Sequence, residues 1–315
     1  MILPTGENPV TVYLTWFKAG FSCTGIGSRC ALLTTGQYAT PLILSGLAAM
    51  VAFRAGLISI GQFGQMLLGA GATTFLAVSV PGPPLMRMSL AIGGGLIAGA
   101  IWGIIPGLLR AFLNVPEVIV TLLMNPIAIA VVSPVSWWRI PEVTQLTPLV
   151  PTTKLTNALF IALGAATLSY LYLWRRDRGL EIRMAGQTTQ FSHYAGLSPH
   201  AAIIRAMGLS GALAGLAGSL EVLGVHYRFV SSFSSIDQFD GITVSLLGQL
   251  HPFGIVLSAF LLGGLRLGAL NGLQLQTSVP RELGNAILAL IMIFVVMPHL
   301  RYFTDRLIHH ARSRP

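Results

Sequence analysis

The chain has 315 residues and a net charge of +9, with 53% hydrophobic and only 9% charged residues. About a quarter of the residues in soluble domains are charged, so this composition excludes an ordinary soluble domain. Several stretches of 18 or more residues are nearly free of charge. We therefore predict an all-α, polytopic membrane protein.

Apolar runs follow one another along the chain, separated by turns and polar connectors. They cover residues 40–53, 57–80, 86–109, 115–135, 155–174, 199–225, 241–272 and 283–298. An N-terminal segment outside the membrane, residues 1–37, is expected before them, and a basic tail, residues 301–315, follows. The penultimate run is divided at His251, and its first half is too short to span a bilayer. Residues 38–300 are therefore predicted to form a transmembrane domain of roughly eight or nine helices, some of them broken or re-entrant.

Arginines are concentrated in the stretch 174–198 and in the tail. Cytoplasmic loops of membrane proteins are enriched in Lys and Arg, so both places, including the C-terminus, are predicted to be cytoplasmic. The positive charge indicates orientation in the membrane rather than a nucleic-acid partner.

Cys23 and Cys30 are the only cysteines of the chain. Two cysteines are too few for a disulfide framework or for a four-ligand zinc site. A bridge would form if this segment faced an oxidising compartment, but two free thiols are the expectation.

A polar phrase occurs twice, as SIGQFGQ at residues 59–65 and as SIDQFDG at 235–241, each before an apolar, glycine-bearing stretch. The repetition predicts two related halves, with each copy at the start of a broken helix that faces a solute path. Amides can hydrogen-bond a polar solute, and aromatic rings can stack on it. The candidate path residues are Gln62, Phe63, Gln65, Asn125, Gln238, Phe239, Asp240, Ser245 and Gln249. The same residues could instead belong to helix interfaces, and Asn125 could equally bond a neighbouring helix.

Each carboxylate near the spans has two interpretations. Glu221 lies deepest by sequence and could pair with Arg228 or His226 or contact a solute. Glu117 stands in the first turn of a helix, where the helix dipole favours an anion. Asp237 and Asp240 could likewise cap the start of a half-helix rather than bind a solute.

Glycines recur every three or four residues, which places them on one helix face and lets helices pack closely in a bilayer. The stripes are Gly95, Gly99, Gly103 and Gly107; Gly208, Gly211, Gly215 and Gly218; and Gly264, Gly268 and Gly272. They could form a sliding seam or static packing, and static packing is expected.

Between Gly186 and Gly196 there is room for one short amphipathic helix with Phe191 and Tyr194 on one side. Such a helix could dock in a groove of a soluble partner. The stretch could also be an ordinary basic loop.

Long motifs along the chain carry a family resemblance. In chain order they read TPLILSGLAAMVAFRAGLISIGQFGQM, VPEVIVTLLMNPIA, GLEIRMAGQ…HYAGLS, LSGALAGLAGSLEVLGVHYRF and QFDGITVSLLGQLHPFGIVL. Over roughly residues 35–300 they resemble permease subunits of ABC importers. The most similar subgroup is the nucleoside type within the simple-sugar and branched-chain amino-acid permease superfamily. The resemblance implies alternating-access import of a nucleoside or simple sugar across the plasma (inner) membrane of a prokaryote.

The resemblance also implies partners, namely an ABC ATPase that binds ATP, a second permease chain in a heterodimer, and an extracytoplasmic substrate-binding lipoprotein. The loop 181–198 would be the coupling helix that contacts the ATPase. Its residues would be Glu181, Arg183, Gly186, Phe191, Tyr194 and Gly196. This chain has only two lysines and no G-x-x-x-x-G-K-[ST] motif, so it is not expected to bind ATP itself. No other cofactor or metal is expected in it.

Four features depart from the family pattern. Ser59 and Phe63 replace the usual Asn and Glu of the first signature, and QTTQFSH at 187–193 replaces the N-x-x-A-A of the coupling helix. Gln249 replaces the second glycine of LLGG. The family's N-terminal helix is expected to be missing.

The residues alone leave two other classes open. An ion-coupled secondary carrier would cluster carboxylates at the membrane midplane, whereas most acids here stand near the ends of spans. A membrane enzyme would need a catalytic motif, and neither H-E-x-x-H, G-x-S-x-G nor a Cys/His cluster occurs.

Overall fold

The computed structural model of the protein describes residues 9–23, 30–149, 153, 155–187, 198–230 and 237–273, with a few isolated positions beyond. These residues form helices joined by turns, and the extended contacts among them are isolated bridges. Their α-helices are α1 (Pro9–Phe21), α2 (Ala31–Arg54), α3 (Gln62–Ser79), α4 (Pro84–Leu113), α5 (Glu117–Val132), α6 (Ala158–Arg175), α7 (Asp177–Ala185), α8 (Pro199–Glu221), α9 (Asp237–Leu247) and α10 (Pro252–Gly268). Short π-helical segments extend α8 through Val222–His226 and α10 through Ala269–Leu273.

Six helices in the described part of the chain, α2, α4, α5, α6, α8 and α10, are long and apolar enough to cross a membrane. The centre of the bundle is formed by α2, in which residues 39–52 are all buried, and by α8. The outer helices expose apolar side chains such as Ile97, Leu123 and Leu168, which are 57%, 63% and 67% exposed. So much apolar surface fits a lipid environment. The chain is a multi-pass, all-α membrane protein, as predicted, while the total of eight or nine spans stays a prediction.

The helix α2 begins earlier in the chain than the apolar run from which it was predicted. The helix begins at Ala31 rather than near residue 40. Thr35 and Thr40 fit into it because their hydroxyls donate to the backbone carbonyls of Gly20 and Gly36, at 2.7 and 2.9 Å. The boundary that composition suggested at residue 37 therefore falls inside a helix.

The helix α1, which was not predicted, packs across the glycine stripe of α10. Trp16 is buried, and its indole N–H donates to the carbonyl of Leu265 at 2.6 Å. Cys23 and Cys30 flank the connection from α1 to α2 and form a disulfide. The expectation of two free thiols was wrong, because the bend between the two helices brings the cysteines together.

Three helices, α3, α4 and α8, meet along a glycine-lined seam. An added Cβ at Gly99 of α4 would lie 2.3 Å from the carbonyl oxygen of Gly211 on α8. One at Gly215 of α8 would lie 2.5 Å from the oxygen of Gly95, and one at Gly69 of α3 would lie 2.4 Å from the Cα of Gly215. Backbones this close leave no room for side chains, which confirms the predicted close packing.

The bundle has two chemically different ends. One end is marked by Arg54 at the end of α2, by Arg175 at the end of α6 and by Arg178 in α7, and it is called the basic end below. At the opposite end, residues 137–146 pair with residues 223–229 through backbone hydrogen bonds. Because α2 ends and α3 begins at the basic end, α3 runs from there toward the opposite end.

The helices α9 and α10 form a re-entrant hairpin beside α2. The start of α9 contacts the middle of α2, where an added Cβ at Gly241 would lie 2.4 Å from Ser45 Oγ. The turn after α9 reaches the basic end, where Arg54 donates to Leu250. With 11 residues, α9 is too short to cross a bilayer, as predicted for half of a broken helix. The two copies of the repeated phrase therefore open helices of opposite direction, α3 and α9.

Candidate functional site

The first copy of the phrase lies in the connection from α2 to α3 and in the first turn of α3. Three polar residues of α5 stand one helical turn apart and face this connection: Glu117, Thr121 and Asn125, called the α5 ladder below. Glu117 Oε1 accepts a hydrogen bond from the N–H of Ile58 at 3.0 Å, and Thr121 Oγ1 accepts one from the N–H of Ile60 at 3.3 Å. The ladder thereby satisfies backbone donors where the helix path is interrupted.

Asn125 uses both ends of its amide in this ladder. Its Oδ1 accepts from the N–H of Gly64 at 3.0 Å, and its Nδ2 donates to the carbonyl of Ile60 at 3.2 Å. The N–H groups in the first turn of a helix have no partner within it, and a bilayer offers no water to satisfy them. Of the two roles open to Asn125, these contacts favour the bond to a neighbouring helix.

Buried polar side chains surround the first copy and recur on α9. Gln62, Phe63 and Gln65 are all buried. Within the described part of the chain, Gln65 Oε1 and Ser59 Oγ have no hydrogen-bond partner, and neither does the Oγ of fully buried Ser245 on α9. Buried oxygens normally have partners, so these three groups could accept hydrogen bonds from a solute inside the bundle.

The second copy opens α9 at Asp237, as predicted. Asp240 Oδ2 lies 2.9 Å from Arg266 Nη1, and this ion pair joins the two arms of the hairpin. Phe239 is 54% exposed, and the side chain of Gln238 lies outside the part that the structure describes. Asp240 is therefore engaged by a cation on α10.

Gln249 stands in the turn after α9, is exposed, and has a φ of 54°. This left-handed conformation costs little for glycine and more for other residues. The glycine that the family pattern LLGG has at this position suits the same backbone geometry. The departure at Gln249 therefore lies at a turn of the basic end.

Glu117 and Glu221 also lie beside basic side chains. Glu117 Oε2 lies 3.3 Å from Arg110 Nε, and Glu221 Oε1 lies 3.6 Å from His226 Nε2. The described residues contain no group of three or more His, Cys, Asp or Glu side chains that could hold a metal ion. Among the described side chains of the site, the groups left without a partner are hydrogen-bond acceptors, Gln65 Oε1, Ser59 Oγ and Ser245 Oγ, rather than carboxylates.

The stretch predicted to couple to a partner begins with α7. Glu181 on this helix forms an ion pair with Arg205 on α8. Gly186, just after the helix, rests against the end of α2, because an added Cβ there would lie 2.3 Å from the carbonyl oxygen of Arg54. Phe191, Tyr194 and Gly196, and with them the predicted short helix, lie outside the described residues.

Sequence reasoning did not find an aromatic cluster at the basic end. The Trp174 ring on α6 lies 5.1 Å from Arg54 Cζ and 5.4 Å from Arg183 Cζ. The same ring lies 5.2 Å from the ring of His251 and 5.6 Å from that of Tyr170. Two features of the sequence could have indicated this cluster. Trp and Tyr are enriched at membrane interfaces, and Tyr170 and Trp174 stand four residues apart on one face of α6.

The arrangement of helices resembles that of a solved ABC transporter assigned to the metal-chelate type, in an inward-facing conformation. The two share a TM-score of 0.51 over 92% of this chain and 97% of the other, with 13% sequence identity. At that identity the likeness concerns the fold, which is that of a transporter's membrane-spanning chain.

The family follows from sequence comparison. The model for the permease component of branched-chain amino acid transport systems matches residues 32–296, and the chain belongs to this family of ABC transporter permeases. It is a multi-pass permease subunit of the class that works with a separate ATPase and a solute-binding protein.

Three curated relatives are similar over most of their length. The guanosine ABC transporter permease protein NupP of Bacillus subtilis is 37% identical, over 85% of this chain and 82% of that protein. The nucleoside ABC transporter permease protein NupB of Lactococcus lactis is 31% identical, over 94% and 86%. The glucose ABC transporter permease protein TsgB13 of Haloferax volcanii is also 31% identical, over 82% and 74%.

Proposed function

We propose that this chain is the transmembrane permease subunit of an ATP-driven importer for a nucleoside, with a simple sugar as the second solute class. The supporting observation is its similarity, over most of the chain, to permeases for guanosine and for nucleosides. The similarity to a glucose permease is the reason for the second class.

The charges around the candidate path support an uncharged solute. Asp240 is paired with Arg266, so it presents no free negative charge. Gln65 Oε1 and Ser245 Oγ, in contrast, have no partner among the described residues. Nucleosides and sugars carry several hydroxyl donors and no net charge, and such donors match amide and hydroxyl oxygens. An ion-coupled carrier would instead need an unpaired carboxylate in the membrane.

In this proposal the basic end and residues 174–198 face the cytoplasm of a prokaryote. The predicted last span, residues 283–298, returns the chain to this side, so the C-terminus is also cytoplasmic. The disulfide between Cys23 and Cys30 supports this orientation, because α2 separates it from the arginines and disulfides persist in oxidising compartments.

The remaining partners have the following roles in the proposal. The loop 181–198 contacts the ATPase, whose cycle of ATP binding and hydrolysis drives alternating access. A second permease chain completes the path, and an extracytoplasmic lipoprotein delivers the solute.

An uptake experiment separates the two solute classes. The complete complex is reconstituted into liposomes with ATP on the ATPase side, and it receives binding protein with radiolabelled guanosine or glucose. We expect guanosine to accumulate and excess unlabelled nucleosides, but not glucose, to suppress it. Uptake of glucose alone would reassign the solute to sugars, and ATP-dependent uptake of neither would contradict the proposal.

Two substitutions test the proposed path in the same assay. Gln65→Leu and Ser245→Ala each remove one buried acceptor, which should raise the KM for uptake by roughly tenfold, the size of one lost hydrogen bond. Ser89→Ala is the matched control, because the Ser89 hydroxyl is exposed and donates to the carbonyl of Met86 within its own helix, α4. An unchanged KM in both path variants would remove these residues from the path.

A further inference from the structure

At the basic end, Arg54 joins α2 to α6 and to the turn between α9 and α10. Its Nε and Nη2 donate to the carbonyl oxygen of Leu250 at 3.1 and 2.9 Å, and its Cζ lies 5.1 Å from the centre of the Trp174 ring. The chain reverses direction here, because Leu250 has a φ of 55° and Pro252 opens the next helix without an N–H. The planar guanidinium can donate to this carbonyl while it stacks on the indole.

The end of α7 reaches the same group from another direction. Arg183 on α7 lies over the Trp174 ring, at 5.4 Å from its centre. Gly186 touches the backbone of Arg54 so closely that a Cβ there would lie 2.3 Å from its carbonyl oxygen. A displacement of α7 must therefore alter both the indole and Arg54.

The turn that Arg54 holds is compact and continuous with α9. An added Cβ at Gly248 would lie 2.5 Å from the backbone nitrogen of Ile255, and the Gly248 N–H donates to the carbonyl of Val244 on α9, so the turn directly after α9 is in contact with the first turn of α10. This packing makes the turn and α9 move together. Because α9 carries Ser245, the chain of contacts runs from α7 through Arg54 to the candidate path.

We propose that Arg54 is a positioning residue that transmits movement of α7 to the α9–α10 turn, and so couples ATP hydrolysis to transport. This inference rests on the proposed function. Removing the guanidinium should leave the ATPase active while the turn no longer follows it. A purely structural role for Arg54 predicts instead that hydrolysis and transport fall in proportion as the complex unfolds.

The test uses the complete complex in liposomes and observes the turn directly. A nitroxide spin label attached through Gln249→Cys, at an exposed position of the turn, reports its mobility without and with ATP and vanadate. In the otherwise unchanged protein the two spectra should differ. Arg54→Gln should keep ATP hydrolysis and lose most of this difference, and guanosine uptake per ATP should fall about tenfold, a common size for coupling between sites. Arg54→Lys keeps the positive charge and an N–H donor group. It should therefore retain part of the spectral difference and part of the uptake per ATP.

Arg87→Gln is the matched control. Arg87 also donates to a backbone carbonyl, that of Ala77 at 2.6 Å, but at the opposite end of the bundle. Its loss should leave uptake per ATP and the spectral difference unchanged. Equal behaviour of Arg54→Gln and Arg87→Gln would overturn the inference, as would a spin label that never responds to ATP and vanadate.

A second variant covers the case in which Arg54→Gln does not assemble. Arg183→Gln removes the contact of this α7 side chain with Trp174 and its positive charge beside Arg54, and it should also lower uptake per ATP. Unchanged coupling in Arg183→Gln would then refute the inference. Failure of the unsubstituted complex to take up guanosine or glucose would contradict the proposed function, so the two failures are distinguishable.

Discussion

Replacing Asn125 by leucine should loosen the connection between α2 and α3. The substitution keeps the number and branching of the side-chain heavy atoms but removes the acceptor for the Gly64 N–H, at 3.0 Å, and the donor to the Ile60 carbonyl, at 3.2 Å. Asn125 is 9% exposed, so bulk solvent cannot readily replace either bond. Both backbone groups lose the side chain that satisfies them.

The size of the effect follows from these two bonds. A buried polar group left without a partner costs about 1–3 kcal/mol, and the buried leucine offsets part of that loss through its apolar surface. The free energy of unfolding should therefore fall by roughly 2–3 kcal/mol. At about 2–4 °C per kcal/mol, the midpoint of thermal unfolding should fall by roughly 5–10 °C. Tryptophan fluorescence of the purified protein in detergent measures this midpoint.

Two further variants bracket the result. Thr121→Val removes one bond to the connection, the one from the Ile60 N–H at 3.3 Å, together with the hydroxyl's bonds to the carbonyls of Glu117 and Val118 within α5. Those two carbonyls belong to the helix itself, so the midpoint should lie between those of the wild type and Asn125→Leu. Leu123→Ala, on the exposed side of the same helix, should stay within about 2 °C of the wild type. If Asn125→Leu unfolds at the wild-type temperature, the α5 ladder does not stabilise the connection and the reasoning is refuted.

Two other substitutions test the close packing and the strained turn by the same unfolding measurement. Gly99→Ala should destabilise the protein by about 1–3 kcal/mol, because the new Cβ meets α8. Gly93→Ala, on the same helix with nothing within 4 Å of its Cβ, should be neutral or slightly stabilising, and equal midpoints would contradict the glycine seam. Gln249→Gly should keep or raise the midpoint, whereas Gln249→Val should lower the stability by about 1 kcal/mol or more. The reverse order would show that the left-handed backbone at this turn carries no strain.

Helix starts could be predicted where proline marks them. Pro199 and Pro252 open α8 and α10 because proline lacks an N–H and its fixed φ suits the first helical turn. The half-helix α9 was also predictable, since the apolar run that ends at His251 is too short to cross a bilayer. The start of α2 was not predictable, because Thr35 and Thr40 are polar residues. Only the folded structure shows that their hydroxyls donate to backbone carbonyls and so fit into the helix.

Contacts between distant parts of the chain could not be predicted in the same way. Glu117 and Asn125 were both singled out from sequence, but the backbone groups they bind lie 59 to 65 residues earlier. Arg54 and Leu250 are 196 residues apart. A hydrophobic pattern specifies which face of a helix is buried but not which loop that face meets. The polar roles of these residues therefore emerged only from the folded arrangement.

The most direct test of what this chain does is to measure which energy source drives transport. The complete complex in liposomes receives labelled guanosine with ATP, with a non-hydrolysable ATP analogue, or with an imposed proton or sodium gradient and no ATP. A permease subunit of an ABC importer predicts accumulation only when hydrolysable ATP and the binding protein are both present. Accumulation driven by the ion gradient without ATP would contradict ATP-driven import and indicate an ion-coupled carrier.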